Sequence, residues 1–353
     1  MISRITLHRR RFIQVAVPGI LSLSATLALG SCSQETQNSQ ASSTKIDPSA
    51  IKTKVLRLGY QQAGDLVRVT GVLEKRLEPL GIKVEWAQFA QGPQLMEAMN
   101  VGKLDLGFVG ETPPIFAQAA GADIVYVAGT KRTPTSGRSS IIAVPPESSI
   151  QKLEDIKGQE VVFQKASASH YFILRALQEV GLKISDIKIR SMPNVEARGA
   201  FIEGKIPVWV SGDPHYALAE KLGRIRVIKT AEGLDSPGGY YIGGRKFAEE
   251  NPGLLKMVIE EIDKIEKWAS NHRQETAKLI APEQKLDLDV AEKVISRRTF
   301  GRRAISPELI EEQQRVADLF YQNGILPTPV DISKALLPSE LYAAITPTDI
   351  SQQ

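Results

Sequence analysis

The sequence predicts an α/β protein of two lobes. Short apolar runs alternate along it with amphipathic stretches, the pattern of parallel strands joined by crossover helices. Once a polar N-terminal part is set aside, roughly 300 residues remain, enough to bury the cores of two compact lobes. The pattern leaves its first set of runs near 136–140 and returns near Gly238. Two crossings beside one cleft permit a hinge.

In the first lobe the strands are expected at 55–60, 82–89, 104–109 and 123–129, with helices at 66–80, 93–101 and 113–120 between them. Leu95, Ala98 and Met99 share a face of the second helix and read as core. The third strand must end at Gly110, and the tandem Pro113 and Pro114 suit a first helical turn, where a missing amide donor costs nothing. The second lobe follows with strands at 139–144, 160–164, 187–192, 207–210 and 225–229, and helices at 150–156, 169–180, 196–203 and 214–222. Gly233, Asp235, Ser236, Pro237, Gly238 and Gly239 read as the return crossing. Beyond Tyr240 the pattern turns helical, at 252–270, 273–280, 289–298 and 307–322, and Glu249 and Glu250 before Pro252 fit a helix start. The lobes are therefore placed at 55–138 with 240–345, and at 139–239.

Residues 1–32 read as an export signal rather than fold: Arg9, Arg10, Arg11, Phe12 and Ile13 precede a mildly apolar stretch that ends in Leu29, Gly30, Ser31 and Cys32. That ending resembles a lipobox, and the arginine run resembles a twin-arginine signal, with a simple basic n-region as the alternative. Cys32 is the sole cysteine among 353 residues, which excludes disulfides within the chain and cysteine metal clusters, while lipid attachment gives its position a reason. An uncleaved membrane anchor is the rival, but the stretch is short and interrupted by Gln14, Pro18 and three hydroxyl residues, Ser22, Ser24 and Thr26. Residues 33–54 are rich in Ser, Gln, Thr and Asn and are expected to act as a tether.

Arg4, Arg9, Arg10 and Arg11 of the signal account for the formal net charge of +4. The remainder is neutral and lacks a basic stripe interleaved with aromatics, so a nucleic-acid partner is not expected. Beyond the signal only His170, His215 and His272 remain, without metal spacing or an evident nucleophile and base, so catalysis is disfavoured and no cofactor is expected.

The chemistry concentrates at the Gly110 turn. Thr112 reads as the N-cap of the next helix, its hydroxyl accepting from the Ile115 amide, while the amides of Gly110, Glu111 and Thr112 face the positive end of the helix dipole. A small oxyanion would be held there. Taken alone, an ordinary strand-to-helix connection explains the same residues.

Four segments sharpen the choice: 58–61 (LGYQ), 92–95 (GPQL), 107–122 (GFVGETPPIFAQAAGA) and 167–176 (SASHYFILRA). Together they resemble periplasmic aliphatic-sulfonate-binding proteins of ABC importers, in a superfamily that includes taurine, nitrate and thiamine-precursor binders. The resemblance spans 55–344. It implies a two-lobe type II periplasmic-binding fold with a ligand cleft between the lobes, and no catalysis. It also implies an alkanesulfonate or taurine-like ligand for sulfur uptake and delivery to an ABC permease with its cytoplasmic ATPase; with the lipobox-like ending at Cys32, a monomer lipid-anchored at the periplasmic or extracytoplasmic face is expected. The alternatives are a receptor for nitrate, bicarbonate or a pyrimidine or thiamine precursor, or a precursor-synthesis enzyme on the same fold.

Gln61, at the C-terminal end of the first strand, is placed to donate into the crevice. Glu111 is an awkward neighbour for an anion, so its amide alone is assigned to the ligand. Across the cleft Ser167 and Ser169 open a second helix N-terminus, where hydroxyls and amides can grip the remaining oxygens, N-capping being the alternative. His170 and Tyr171 are assigned to the ligand by the motif, against structural packing. Trp209 offers an aromatic wall for an alkyl tail, with Asp213 at the end of the same strand. The chain departs from the family pattern in having Ser211 and Gly212 where an aromatic is usual and Ala168 where Asn is commoner. The motif donors are neutral apart from Lys165, which favours a singly charged anion. Lys131, Arg132 and Arg138 are read as solvated loop charges.

Overall fold

The structure, a computed structural model, describes residues 51–61, 65–234 and 236–351. The expected export signal, Cys32 and most of the tether lie outside these residues. Two sheets carry the fold. The first contains β1 (Val55–Gln61), β2 (Lys83–Phe89), β3 (Leu106–Val109), β4 (Ile124–Thr130) and two strands contributed late in the chain. The second contains β5 (Ser140–Val144), β6 (Glu160–Phe163), β7 (Lys188–Ser191), β8 (Val208–Gly212) and β9 (Arg226–Thr230). The chain then returns to the first sheet as β10 (Tyr240–Gly244) and β11 (Arg302–Arg303).

Strand order shows how the crossings work. The first sheet runs β11-β4-β10-β3-β1-β2 and the second β7-β6-β8-β5-β9. In each, three parallel strands lead, and the strand that has just crossed enters antiparallel beside the third: β10 pairs with β3 and β4, and β5 with β8 and β9. Where the crossings run side by side they are bonded, Thr130 N–H donating to Gly239 O at 2.8 Å and Ala231 N–H to Ser140 O at 3.1 Å. Gly137 fits there for a steric reason. Its φ is +94°, and a Cβ would lie 2.5 Å from Ala231 O, so a side chain would collide with the opposite crossing.

Both sheets are buried on both faces, as layers between helices must be. One face of the first packs Leu95, Ile115, Tyr126 and Phe320, the other Leu73, Leu254, Val258 and Ile262. In the second, Val208 and Val210 face Phe163 and Phe172, while Trp209 points to the other side with Phe201.

Several expected elements differ. The helix at 66–80 breaks at Gly71, whose φ of +62° ends Leu66–Thr70 and begins Val72–Leu77. Of the helix at 150–156 only a 3-10 turn, Leu153–Ile156, forms. β3 starts after Asp105, whose carboxylate accepts from the Arg57 amide at 2.7 Å. The segment after Tyr240 is a strand before it is helical. The helices Arg245–Glu250 and Ser339–Ile345 were not anticipated. No helix among the described residues is long and apolar enough to cross a membrane.

Candidate functional site

β3 delivers Gly110 to the C-terminal edge of the first sheet, and the helix Thr112–Ala119 follows at once. β6 leads to Ser167, the N-cap of the helix Ala168–Glu179. These two helix starts meet, since a Cβ on Gly110 would lie 3.2 Å from the Cβ of Ala168. Each brings the positive end of a helix dipole to the same place. Beside them opens a cavity of about 490 Å³, whose wall includes Gln61, Gly110, Glu111, Ala168, Tyr171 and Asp213. Its volume falls in the range of pockets that enclose small organic ligands.

Five candidates therefore share the wall, each with a defined state. The Gln61 side-chain amide donates to Phe108 O at 2.9 Å, which fixes its orientation. Glu111 is 5% exposed. Burial raises its carboxyl to about 7, against the smaller opposing pull of its own amide and the neighbouring Thr112 hydroxyl. Asp213 is likewise raised to about 6 by burial, although Arg297 holds it at 3.2 Å and its Oδ1 accepts from the Ala217 amide at 3.1 Å. Tyr171 packs against Phe320 with ring centroids 6.5 Å apart.

The other five candidates do not line the cavity, and three of their expected roles are corrected. Thr112 is not the N-cap: Glu111 occupies that position with helical dihedrals of −63° and −32°, so the helix begins one residue early. The Thr112 hydroxyl is buried and makes no hydrogen bond of good geometry. His170 is buried between Phe163 and Phe320, with centroids at 5.1 and 5.0 Å. Desolvation, helped by Lys165, lowers it to about 4. It is a neutral packing group, and its Nδ1 accepts from the Ala166 amide at 3.3 Å. Trp209 is fully buried against Phe201 with centroids 5.0 Å apart, so it forms no wall for a ligand tail. Strand parity is the cause, because alternate residues of β8 face opposite layers. Ser167 stands at the N-cap position but makes no side-chain capping bond, its hydroxyl donating instead to Gln164 O at 2.7 Å. Ser169 is half-buried.

The aromatic lining comes instead from Tyr60, Phe108, Phe172 and Tyr241 with Tyr171. The wall is also far more cationic than the motifs suggest, because Lys131, Arg132, Arg175, Arg297, Arg298 and Arg302 all reach it. Lys131 and Arg132 are exposed loop residues, as expected, that also line the cavity. Arg138 stays outside and pairs with Glu232 at 2.8 Å. Arg302 is buried against Glu266, and its guanidinium lies over the rings of Phe108 and Tyr241 at 4.7 and 4.8 Å. Arg297 reaches Glu220 at 2.5 Å and stacks 3.9 Å over Tyr216. The available signal was the run RRTFGRR at 297–303, whose cations surround a glycine far along the chain.

Two sheets of like topology, joined by paired crossings and presenting helix N-termini to a shared cleft, define the two-lobed α/β periplasmic-binding-protein fold. The chain belongs to the NMT1/THI5-like family, whose model matches residues 78–276. It is 34% identical over 331 residues to a protein of Escherichia coli (strain K12) named as an aliphatic sulfonates-binding protein, covering 93% of this chain and 96% of that one. A Bacillus subtilis (strain 168) protein of the same name is 29% identical, over 79% of this chain and 84% of the other. Among solved structures, the alkanesulfonate-binding protein SsuA from Xanthomonas axonopodis pv. citri, bound to MOPS, superposes with a TM-score of 0.76 at 34% identity. That match covers 81% of this chain and 98% of the other. The fold is also shared by the desulfurization enzyme DSZB, at 13% identity and a TM-score of 0.59.

Proposed function

We propose that this chain is the extracytoplasmic receptor of an ABC importer, that it captures an aliphatic sulfonate between its two sheets, and that it delivers it to a permease. The observation that carries this reading is the meeting of two helix N-termini, one from each sheet, at Gly110 and Ala168 beside the cavity. Two such termini favour an anion without requiring a formal cation at the head group. Aromatic rings beyond them suit an apolar tail, and the relatives named for sulfonate binding make the anion a sulfonate. The head group is assigned to Gly110, Glu111 and Gln61 on one side and to the start of the helix Ala168–Glu179 on the other, with Tyr171 against the tail. The lobes are assigned as 55–138 with 240–345, and 139–239, hinged at the two crossings. The role requires no bond to be made or broken in the ligand.

Cys32 is assigned as the lipid attachment point that holds a monomeric receptor at the membrane surface. Native mass spectrometry of protein extracted from membranes tests both assignments. The expected spectrum shows a diacylglyceryl adduct on Cys32 and, under gentle ionisation, a retained organosulfonate. An unmodified Cys32 would remove the anchor. A retained ligand of another class, such as a pyrimidine, would remove the sulfonate.

A further inference from the structure

The helix Ala168–Glu179 lies along the cavity as well as ending at it. Ala168, Tyr171, Phe172 and Arg175 all line the wall, at the spacing that puts residues on one helical face. Arg175 lies seven positions after Ala168, an axial length of about 10 Å. A ligand whose head lies at the Gly110–Ala168 contact therefore extends past the rings of Tyr171 and Phe172 toward Arg175.

Arg175 differs from other cations of the cavity in its partners. Arg297 is held by Asp213 and Glu220, Arg302 by Glu266, and Arg132 approaches Glu312 at 3.4 Å. Among the described residues no carboxylate pairs with Arg175, whose Nη1 donates to the side-chain oxygen of Gln178 at 2.8 Å. Its Nε is buried without an acceptor. A guanidinium offers five donors in a fixed fork, and a buried donor left unmet is costly. A planar carboxylate is the group that matches this fork.

We propose that Arg175 forms a second anion position in the cleft, and that the ligand class is a sulfonate whose chain carries a carboxylate at its far end. This inference rests on the sulfonate reading of the Gly110 turn. The size of the cavity, about 490 Å³, gives such a chain room that a short alkanesulfonate would leave unfilled.

The test is calorimetric titration of the mature protein with hexanesulfonate and with its ω-carboxylated counterpart, repeated on Arg175→Met and Arg175→Lys. The quantity read is the ratio of the two affinities. In the wild type the carboxylated ligand is expected to bind about tenfold more tightly, the ratio to fall to near one in Arg175→Met, and part of it to return in Arg175→Lys. Hexanesulfonate binding with no gain from the carboxylate overturns the Arg175 assignment alone, as does a gain that survives Arg175→Met. Failure of both ligands to bind overturns this assignment together with the sulfonate reading beneath it. Thermal melts of each variant confirm that the proteins compared are folded.

Discussion

Glu111 is the acidic residue of the Gly110 turn on the cavity wall. Its carboxyl is buried, and its raised value of about 7 comes from desolvation without a cation to offset it. The surrounding elements bring polar but mostly neutral groups. Gln313 donates to Glu111 O and to the Tyr126 hydroxyl at 2.6 and 3.0 Å, and Tyr240 lies beside Tyr126, with the Arg303–Glu312 pair beyond. Because the folded state holds this proton more tightly than the unfolded chain, the contribution to stability is complete below about 4.5 and is lost as pH rises through 7. The penalty above that range is on the order of 3 kcal/mol. Glu111→Gln is therefore expected to match the wild type at pH 5 and to exceed its stability at pH 8, by denaturant titration. Equal stability at both pH values would show that the carboxyl does not carry this penalty. At the same scale Trp209 shows what residue identity leaves open: Val208, Trp209 and Val210 form an apolar run, and nothing within the run says which layer the indole faces.

Among the elements, the helix Pro307–Gln322 has the widest structural reach. Its Phe320 is fully buried, meeting Phe116 at 5.2 Å on the helix that starts at Thr112 and His170 at 5.0 Å on the helix that starts at Ala168. One ring thus packs against both helices whose N-termini converge. Phe320→Ala is expected to cost about 3 to 5 kcal/mol in denaturant unfolding and to weaken ligand binding by loosening the spacing of the two starts. A loss under 1 kcal/mol would mean the ring is not load-carrying packing. The helical pattern of 307–322 was legible because periodicity and a Pro307 start agree, and the cap follows, Ser306 accepting from the Leu309 amide at 3.2 Å. β10 was not legible. Its apolar residues, Tyr240, Tyr241 and Ile242, sit between glycines, and they become a central strand only through long-range pairing with β3 and β4. The place of the Gly110 turn at the C-terminal end of a strand was readable from local chemistry, whereas Arg297 and Arg302 reach the cavity wall from a segment nearly two hundred positions later, which local pattern cannot show.

At the scale of the molecule, the two crossings and the cleft form one device. Thr130 to Gly239 and Ser140 to Ala231 tie the crossings together, Asp213 N–H donates to Ser139 O at 2.9 Å beside them, and the helices Leu288–Arg297 and His215–Lys221 meet through Arg297, Asp213 and Glu220. Ligand held between the sheets adds contacts to both at once, so binding stabilises the whole fold by mass action, about 2.7 kcal/mol at a hundredfold excess over Kd. The central claim is that the converging helix starts select a sulfonate. It is tested most directly by thermal unfolding of the mature protein with hexanesulfonate, with the carboxylate of equal chain length, and with sulfate. The expected result is a rise of several degrees in Tm with the sulfonate and little change with the other two. A larger rise with the carboxylate, or none with the sulfonate at any concentration, would contradict it.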